Sequence, residues 1–114
     1  MKTTHFGLLI LSLGISNYSL GAQEDVIAQG EEVYQARCEY CHGEGLQKGG
    51  TMMLQQRYQG SKPSILHQRT DLLPEYIRNI VRTNTPGMTP VRITEVNERE
   101  LDALISYLTR NNQD

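Results

Sequence analysis

Cysteine, long apolar runs and surplus basic charge are all scarce in this 114-residue sequence, and each shortage removes a class of function. Only two cysteines occur. Both lie in one Cys-x-x-Cys, Cys38 and Cys41, so a framework of several disulfides is excluded. The one apolar stretch, residues 6–15, is well short of the ~20 residues that cross a bilayer. Lys2 precedes it and a region with several small residues, 16–22, follows. That order is the pattern of a cleaved secretory signal peptide over residues 1–22, although no Ala-x-Ala marks the cleavage site. The expected mature chain, 23–114, contains no second apolar run, no internal repeat and no low-complexity segment. It is read as one domain that does not span a membrane, exported to the periplasm.

Acids outnumber bases, thirteen Asp and Glu against eleven Lys and Arg, one of which is Lys2 in the signal segment. Nucleic acid is therefore not an expected partner. The charge is uneven along the chain. Residues 23–44 carry six acids and one base, 45–92 carry seven bases and two acids, and 93–114 carry five acids and two bases.

An exported Cys-x-x-Cys has three chemical readings, a disulfide or redox pair, a metal site or a haem attachment. The residue after it separates them. In Cys38-Glu39-Tyr40-Cys41-His42 the two thiols stand three positions apart on a helical turn, and an imidazole follows at once. Two sulfurs so placed can add to the two vinyl groups on one edge of a porphyrin while the imidazole binds the iron. The reading is one covalent haem c, bonded at Cys38 and Cys41, with His42 as iron ligand. A rival zinc site would combine Cys38, Cys41 and His42 with His67, the other histidine of the mature chain. It would require adjacent residues to ligate one tetrahedral ion. A thioredoxin-like pair lacks the strand–helix alternation of that fold.

Helical spacing surrounds the motif. Val26, Gly30, Val33, Tyr34 and Cys38 recur along one face of a helix over 25–40, with the thiols at its end. Tyr76, Ile77, Ile80 and Val81 mark a second helix, with Pro74 near its start and Asn84 as a left-handed cap. Asn97 and Glu100 form a capping box for a third, with Leu101, Leu104, Ile105 and Leu108 on its apolar face. No strand pattern competes. The fold class is all-α, three main helices whose long loops enclose the cofactor.

Met88 lies in Asn84-Thr85-Pro86-Gly87-Met88-Thr89-Pro90, a proline-stiffened loop between the second and third helices. A methionine is more often packing filler than ligand. This one follows His42 by enough chain to reach the opposite face of the ring, and a thioether opposite histidine favours reduced iron. Met52 and Met53, after Gly49-Gly50 in a loop, are read as pocket lining. They, His67 and an open position are the alternatives to Met88 as sixth ligand.

Nearly the whole mature sequence resembles a class I cytochrome c. In that family a glycine and an aromatic on the first helix cross an aromatic on the last, the places of Gly30, Tyr34 and Tyr107. The resemblance implies that the carbonyl of Pro63, in Lys62-Pro63-Ser64-Ile65-Leu66, accepts the second N–H of His42. It also makes Arg69, with Arg57, a candidate to bond the haem propionates. Residues 68–72 and the stretch from Tyr76 through Glu95 resemble small bacterial cytochromes that take electrons from flavoprotein dehydrogenases, p-cresol methylhydroxylase among them. Two departures are Thr89 between Met88 and Pro90, and Asn84 where glycine is frequent.

The resulting expectation is a one-electron carrier and not an enzyme. It accepts electrons from a redox protein, a flavoprotein dehydrogenase by the resemblance, and delivers them to an oxidase or another cytochrome. Beyond the ligands only His67 remains as an imidazole, and no nucleophile–base pair is left. A permanent subunit of a flavocytochrome and a ligand-binding haem sensor or enzyme are the alternative readings. Arg82 and Arg92, beside the Met88 loop, are expected to meet an acidic patch on the donor.

Overall fold

Gly30 decides where the chain crosses itself. A Cβ built at this position would lie 2.0 Å from the carbonyl oxygen of Ala103 and 2.7 Å from the Cβ of Tyr107, so only glycine lets the two backbones approach. The computed structural model describes residues 16–113. Residues 1–15 of the expected signal segment lie outside the described residues. The helices are α1 (Ser16–Arg37), α2 (Glu39–His42), α3 (Gly49–Tyr58), α4 (Pro74–Arg82) and α5 (Glu98–Thr109), with a 3₁₀ turn at Leu66–Gln68. Among the described residues there is no strand, and Thr85 and Met88 form an isolated bridge. The all-α class agrees with the sequence reading and the three expected main helices are α1, α4 and α5, to which the described residues add the shorter α2 and α3.

Around the α1–α5 crossing the core collects Tyr34, Leu101, Leu104, Tyr107 and Leu108, extended by Leu72, Ile77, Val81 and Val96. Each such side chain, fully buried, contributes roughly 1.5–3 kcal/mol by leaving water. The rings of Tyr34 and Tyr107 meet at 5.5 Å between centroids. Ile27 packs on this cluster, whereas Val26, expected on the buried face, is exposed. Residues 27, 30 and 34 share one face at helical spacing, and Gly30 sets its phase. On α4, Ile77 and Val81 are buried as expected, but Tyr76 is half exposed.

Helix α5 starts with the expected capping box. Glu100 N–H donates to Asn97 Oδ1 at 3.0 Å, and Asn97 N–H donates to Glu100 Oε2 at 2.8 Å. Asn97→Ala is expected to cost about 1 kcal/mol, read as a lower denaturation midpoint with an unchanged slope. Helix α4 ends differently from the expectation. Thr83, not Asn84, is its C-cap, with extended backbone, and Thr83 Oγ1 donates to the Asn79 carbonyl at 2.7 Å. No left-handed residue is used there because the chain leaves directly into the Met88 loop.

That loop is closed at its root. Val91 N–H donates to the Val81 carbonyl at 2.8 Å. The Arg82 guanidinium donates to the carbonyls of Val91 (2.9 Å) and Val96 (2.8 Å) and to Glu98 Oε1 (2.8 Å). Arg78 joins the same helices by pairing with Glu98 and Asp102.

Candidate haem-attachment site

Helix α1 bonds straight through to the attachment turn. Cys38 N–H donates to the Tyr34 carbonyl at 2.8 Å, and the Cys38 carbonyl accepts from the N–H groups of Cys41 (3.1 Å) and His42 (2.9 Å). Cys38 is the break between α1 and α2, so the two thiols sit three positions apart, about one turn, on nearly continuous helix. Cys38 is partly buried and Cys41 exposed, and they form no disulfide. Burial, helped by the neighbouring Cys41, pushes the Cys38 thiol up to about 11. A redox dithiol is activated by the opposite shift, and the described residues also lack the strands that a thioredoxin-like fold needs. Among the described residues no three His, Cys, Asp or Glu side chains are gathered as a metal would need, so the four zinc candidates do not converge.

His42 is walled in on one edge. A Cβ at Gly50 would lie 2.7 Å from its Cε1 and 2.8 Å from its Nδ1. Thr51, buried, donates from Oγ1 to the Gly43 carbonyl at 2.8 Å and so fixes the start of α3 against the residue after His42. Nδ1 is buried and has no hydrogen-bond partner. The bond from Nδ1 to the Pro63 carbonyl, implied by the resemblance, is therefore not made in this arrangement, where Gly50 occupies that edge of the ring. Burial lowers the His42 pKa from its ordinary value, which keeps the imidazole neutral at pH 7. A neutral ring with its Nδ1 edge buried is the form that binds iron through Nε2.

Met88 ends a tight turn. Pro86 and Gly87 are its central residues, Met88 N–H donates to the Thr85 carbonyl at 2.9 Å, and Gly87 takes φ +85°. A proline followed by a residue with positive φ gives a type II turn, and glycine occupies that second position without strain. Met52 and Met53, expected in a loop, belong instead to α3. They line a groove of about 570 Å³ with Gly49, Gln55 and Gln56. Met53 also reaches the Met88 turn, since a Cβ on Gly87 would lie 2.7 Å from Met53 Cε.

His67 is tied elsewhere. Its ring meets Tyr34 edge-on at 5.7 Å, its Nδ1 is 3.4 Å from the Tyr34 hydroxyl, and its carbonyl accepts from Asn111 at 3.0 Å. The Tyr34 hydroxyl in turn donates to the His42 carbonyl at 2.8 Å. The Tyr34 hydroxyl thus links His67 to the turn that carries His42.

Arg69 is 5% exposed and deeply committed. Its Nε and Nη2 donate to the two oxygens of Asp71 at 2.5 and 2.8 Å, and its Nη1 donates to the Tyr58 hydroxyl at 2.8 Å. A guanidinium has five N–H donors, so two are not used in these bonds, and Arg69 lines a groove together with Arg57 and Lys62. The Arg69 hydrogen bonds hold the Asp71 carboxyl down to about 2, with help from Lys62. A depressed carboxylate stabilises the fold fully above its unfolded value and loses that contribution as pH falls through the folded one. Asp71 is about half exposed, and solvent screening reduces the gain to roughly 1 kcal/mol. Asp71→Asn is expected to flatten the acid limb of stability between about pH 4 and pH 2, measured by denaturant titration at each pH.

The charge expectation needs correction. Of the seven bases in 45–92, Lys62, Arg69, Arg78, Arg82 and Arg92 are paired with carboxylates. Arg82 faces inward, its side chain 22% exposed, and serves the loop root in place of a free docking surface. Sequence reasoning also missed Gly50 and Thr51. The Gly-Gly pair suggested a loop, and nothing local marks a threonine as a long-range donor.

The donor set fits a haem: two thiols one helical turn apart, an adjacent neutral imidazole held by one edge, and a thioether on a turn with a closed root. A family model described as "Cytochrome C oxidase, cbb3-type, subunit III" matches residues 25–108. A search of curated proteins returns no match, and neither does a search of solved structures. Among the described residues no helix is long and apolar enough to cross a membrane. The match runs from early α1 through the attachment turn and the Met88 loop into α5, and the chain belongs to this family of class I cytochrome c-type domains, the domain of haem-based electron carriers.

Proposed function

We propose that this chain is a periplasmic one-electron carrier with a single haem bonded at Cys38 and Cys41 and ligated by His42 and Met88. A haem held there supplies an iron that alternates between ferric and ferrous states. The observation that carries the reading is the attachment turn itself, where His42 is neutral and its Nδ1 edge is packed against Gly50. Cys38 and Cys41 fix the group to α1 and α2. Met88 adds a soft sulfur donor from the loop between α4 and α5, a pairing with histidine that favours the reduced state. Arg69 offers its two spare N–H groups, with Arg57 and Lys62 beside it, to the propionate carboxylates. A haem iron held by both His42 and Met88 would be closed to oxygen and peroxide, which would suit transfer and not catalysis.

The donor is a redox protein of the flavoprotein dehydrogenase class and the acceptor an oxidase or another cytochrome. Visible spectra of the purified protein, oxidised and dithionite-reduced, with a pyridine haemochrome assay, test attachment. A c-type reduced spectrum supports the reading, and a chain isolated from its native host without haem removes it. The family description favours a second reading, a haem subunit held permanently by a larger redox enzyme. Purification from the native host separates the two, because a carrier elutes alone and a subunit elutes with its enzyme.

A further inference from the structure

We infer that Arg82 is the positioning residue of the sixth ligand, a forked clamp that holds Met88 at the iron by closing the root of its loop. This rests on the reading of Met88 as a ligand. Between Met88 and the anchored Val91 lie only Thr89 and Pro90, so the position of Val91 confines the Met88 Cα to a reach of roughly 10 Å. Val91 is held at both its polar atoms, its N–H by the Val81 carbonyl and its carbonyl by Arg82 Nη1. The other branch of the same guanidinium takes the Val96 carbonyl and Glu98 Oε1, which ties the far end of the loop to the start of α5. Within the loop Thr83, Asn84, Pro86, Gly87, Thr89 and Pro90 are all exposed, so burial does little to hold it.

Planarity and fixed donor angles let one guanidinium serve two carbonyls and a carboxylate from two separate nitrogens, a span that the single nitrogen of an ammonium lacks. Arg78 is the natural comparison. It joins α4 to α5 through Glu98 and Asp102 but bonds no atom of the loop. Losing it weakens the helix pair and leaves the loop root intact.

The test uses holoprotein and imidazole as the probe, because imidazole enters the ferric iron's sixth position only after Met88 leaves. Affinity for imidazole and the near-infrared sulfur-to-iron band are measured for the wild type, Arg82→Met, Arg82→Lys and Arg78→Met, alongside thermal unfolding. Loss of three charge-assisted bonds at the root is expected to raise imidazole affinity at least about tenfold in Arg82→Met. Arg82→Lys is expected to follow it, since the charge survives and the fork does not. Arg78→Met is expected to lose thermal stability with imidazole affinity near the wild-type value. Equal imidazole affinity in all four proteins overturns the assignment, as does full rescue by lysine or a rise in Arg78→Met equal to that in Arg82→Met. A wild type without the sulfur-to-iron band removes the Met88 reading and this assignment with it.

Discussion

Met88→Ala is expected to abolish the sulfur-to-iron band, open the sixth position to added imidazole or cyanide, and lower the reduction potential by on the order of 0.1 V. The direction follows from ligand softness. A thioether stabilises ferrous iron more than ferric, and water or a nitrogen donor in its place reverses that preference. Met53 supplies the internal control because it touches the same turn at Gly87 yet belongs to α3. Met53→Ala is expected to keep the band and shift the potential far less. If Met53→Ala loses the band and Met88→Ala keeps it, the ligand is on α3 and the Met88 turn is only its cover. Redox titration with visible and near-infrared detection on both variants decides the matter.

The largest loss of stability is expected from Gly30→Ala, although it adds a single carbon. That carbon would fall 2.0 Å from the Ala103 carbonyl oxygen and 2.6 Å from its carbonyl carbon, both parts of the α5 backbone. A flexible side chain could turn aside, but a helix carbonyl cannot. The helices must separate, and Tyr34, Leu104 and Tyr107 lose contact as they do. Overpacking typically costs about 1–3 kcal/mol, and a clash with backbone belongs at or above the upper end. Against a total stability of about 5–15 kcal/mol for a small domain, that lowers the melting temperature by on the order of 10–20 °C. Gly49→Ala is the control, since nothing lies within 4 Å of its added Cβ. It is expected to change stability by less than about 0.5 kcal/mol.

Local patterns in the sequence were the legible ones. The capping box spans three residues, and the apolar face of α5 repeats along a single helix, so both could be read without knowing what they meet. The motif from Cys38 to His42 is equally local, and the family match to a cytochrome c-type domain agrees with the class it suggested. Helix α3 was not legible because its reason for existing is non-local. It opens with two glycines and is half-exposed at Met52 and Met53, and its one fully buried side chain, Thr51, faces the carbonyl of Gly43. Asn84 misled for a related reason. Its composition suits a left-handed cap, but Thr83 answers the Asn79 carbonyl first and the chain turns away extended. The charge pattern counted Arg82 correctly as a base near Met88. It could not show that the guanidinium points into the loop root, because its acceptors are mainly backbone carbonyls, which sequence does not distinguish.

One side chain belongs to both halves of the molecule. Tyr34 lends its ring to the helix crossing and its hydroxyl to the His42 carbonyl. Prying α1 from α5 is therefore expected also to slacken the turn that carries His42, so that the two open together. For inheritance this means that position 34 is judged twice. A phenylalanine preserves the packing and fails the bond, a smaller hydroxylic residue cannot span the distance, and so the space of tolerated replacements is narrower there than burial alone would set.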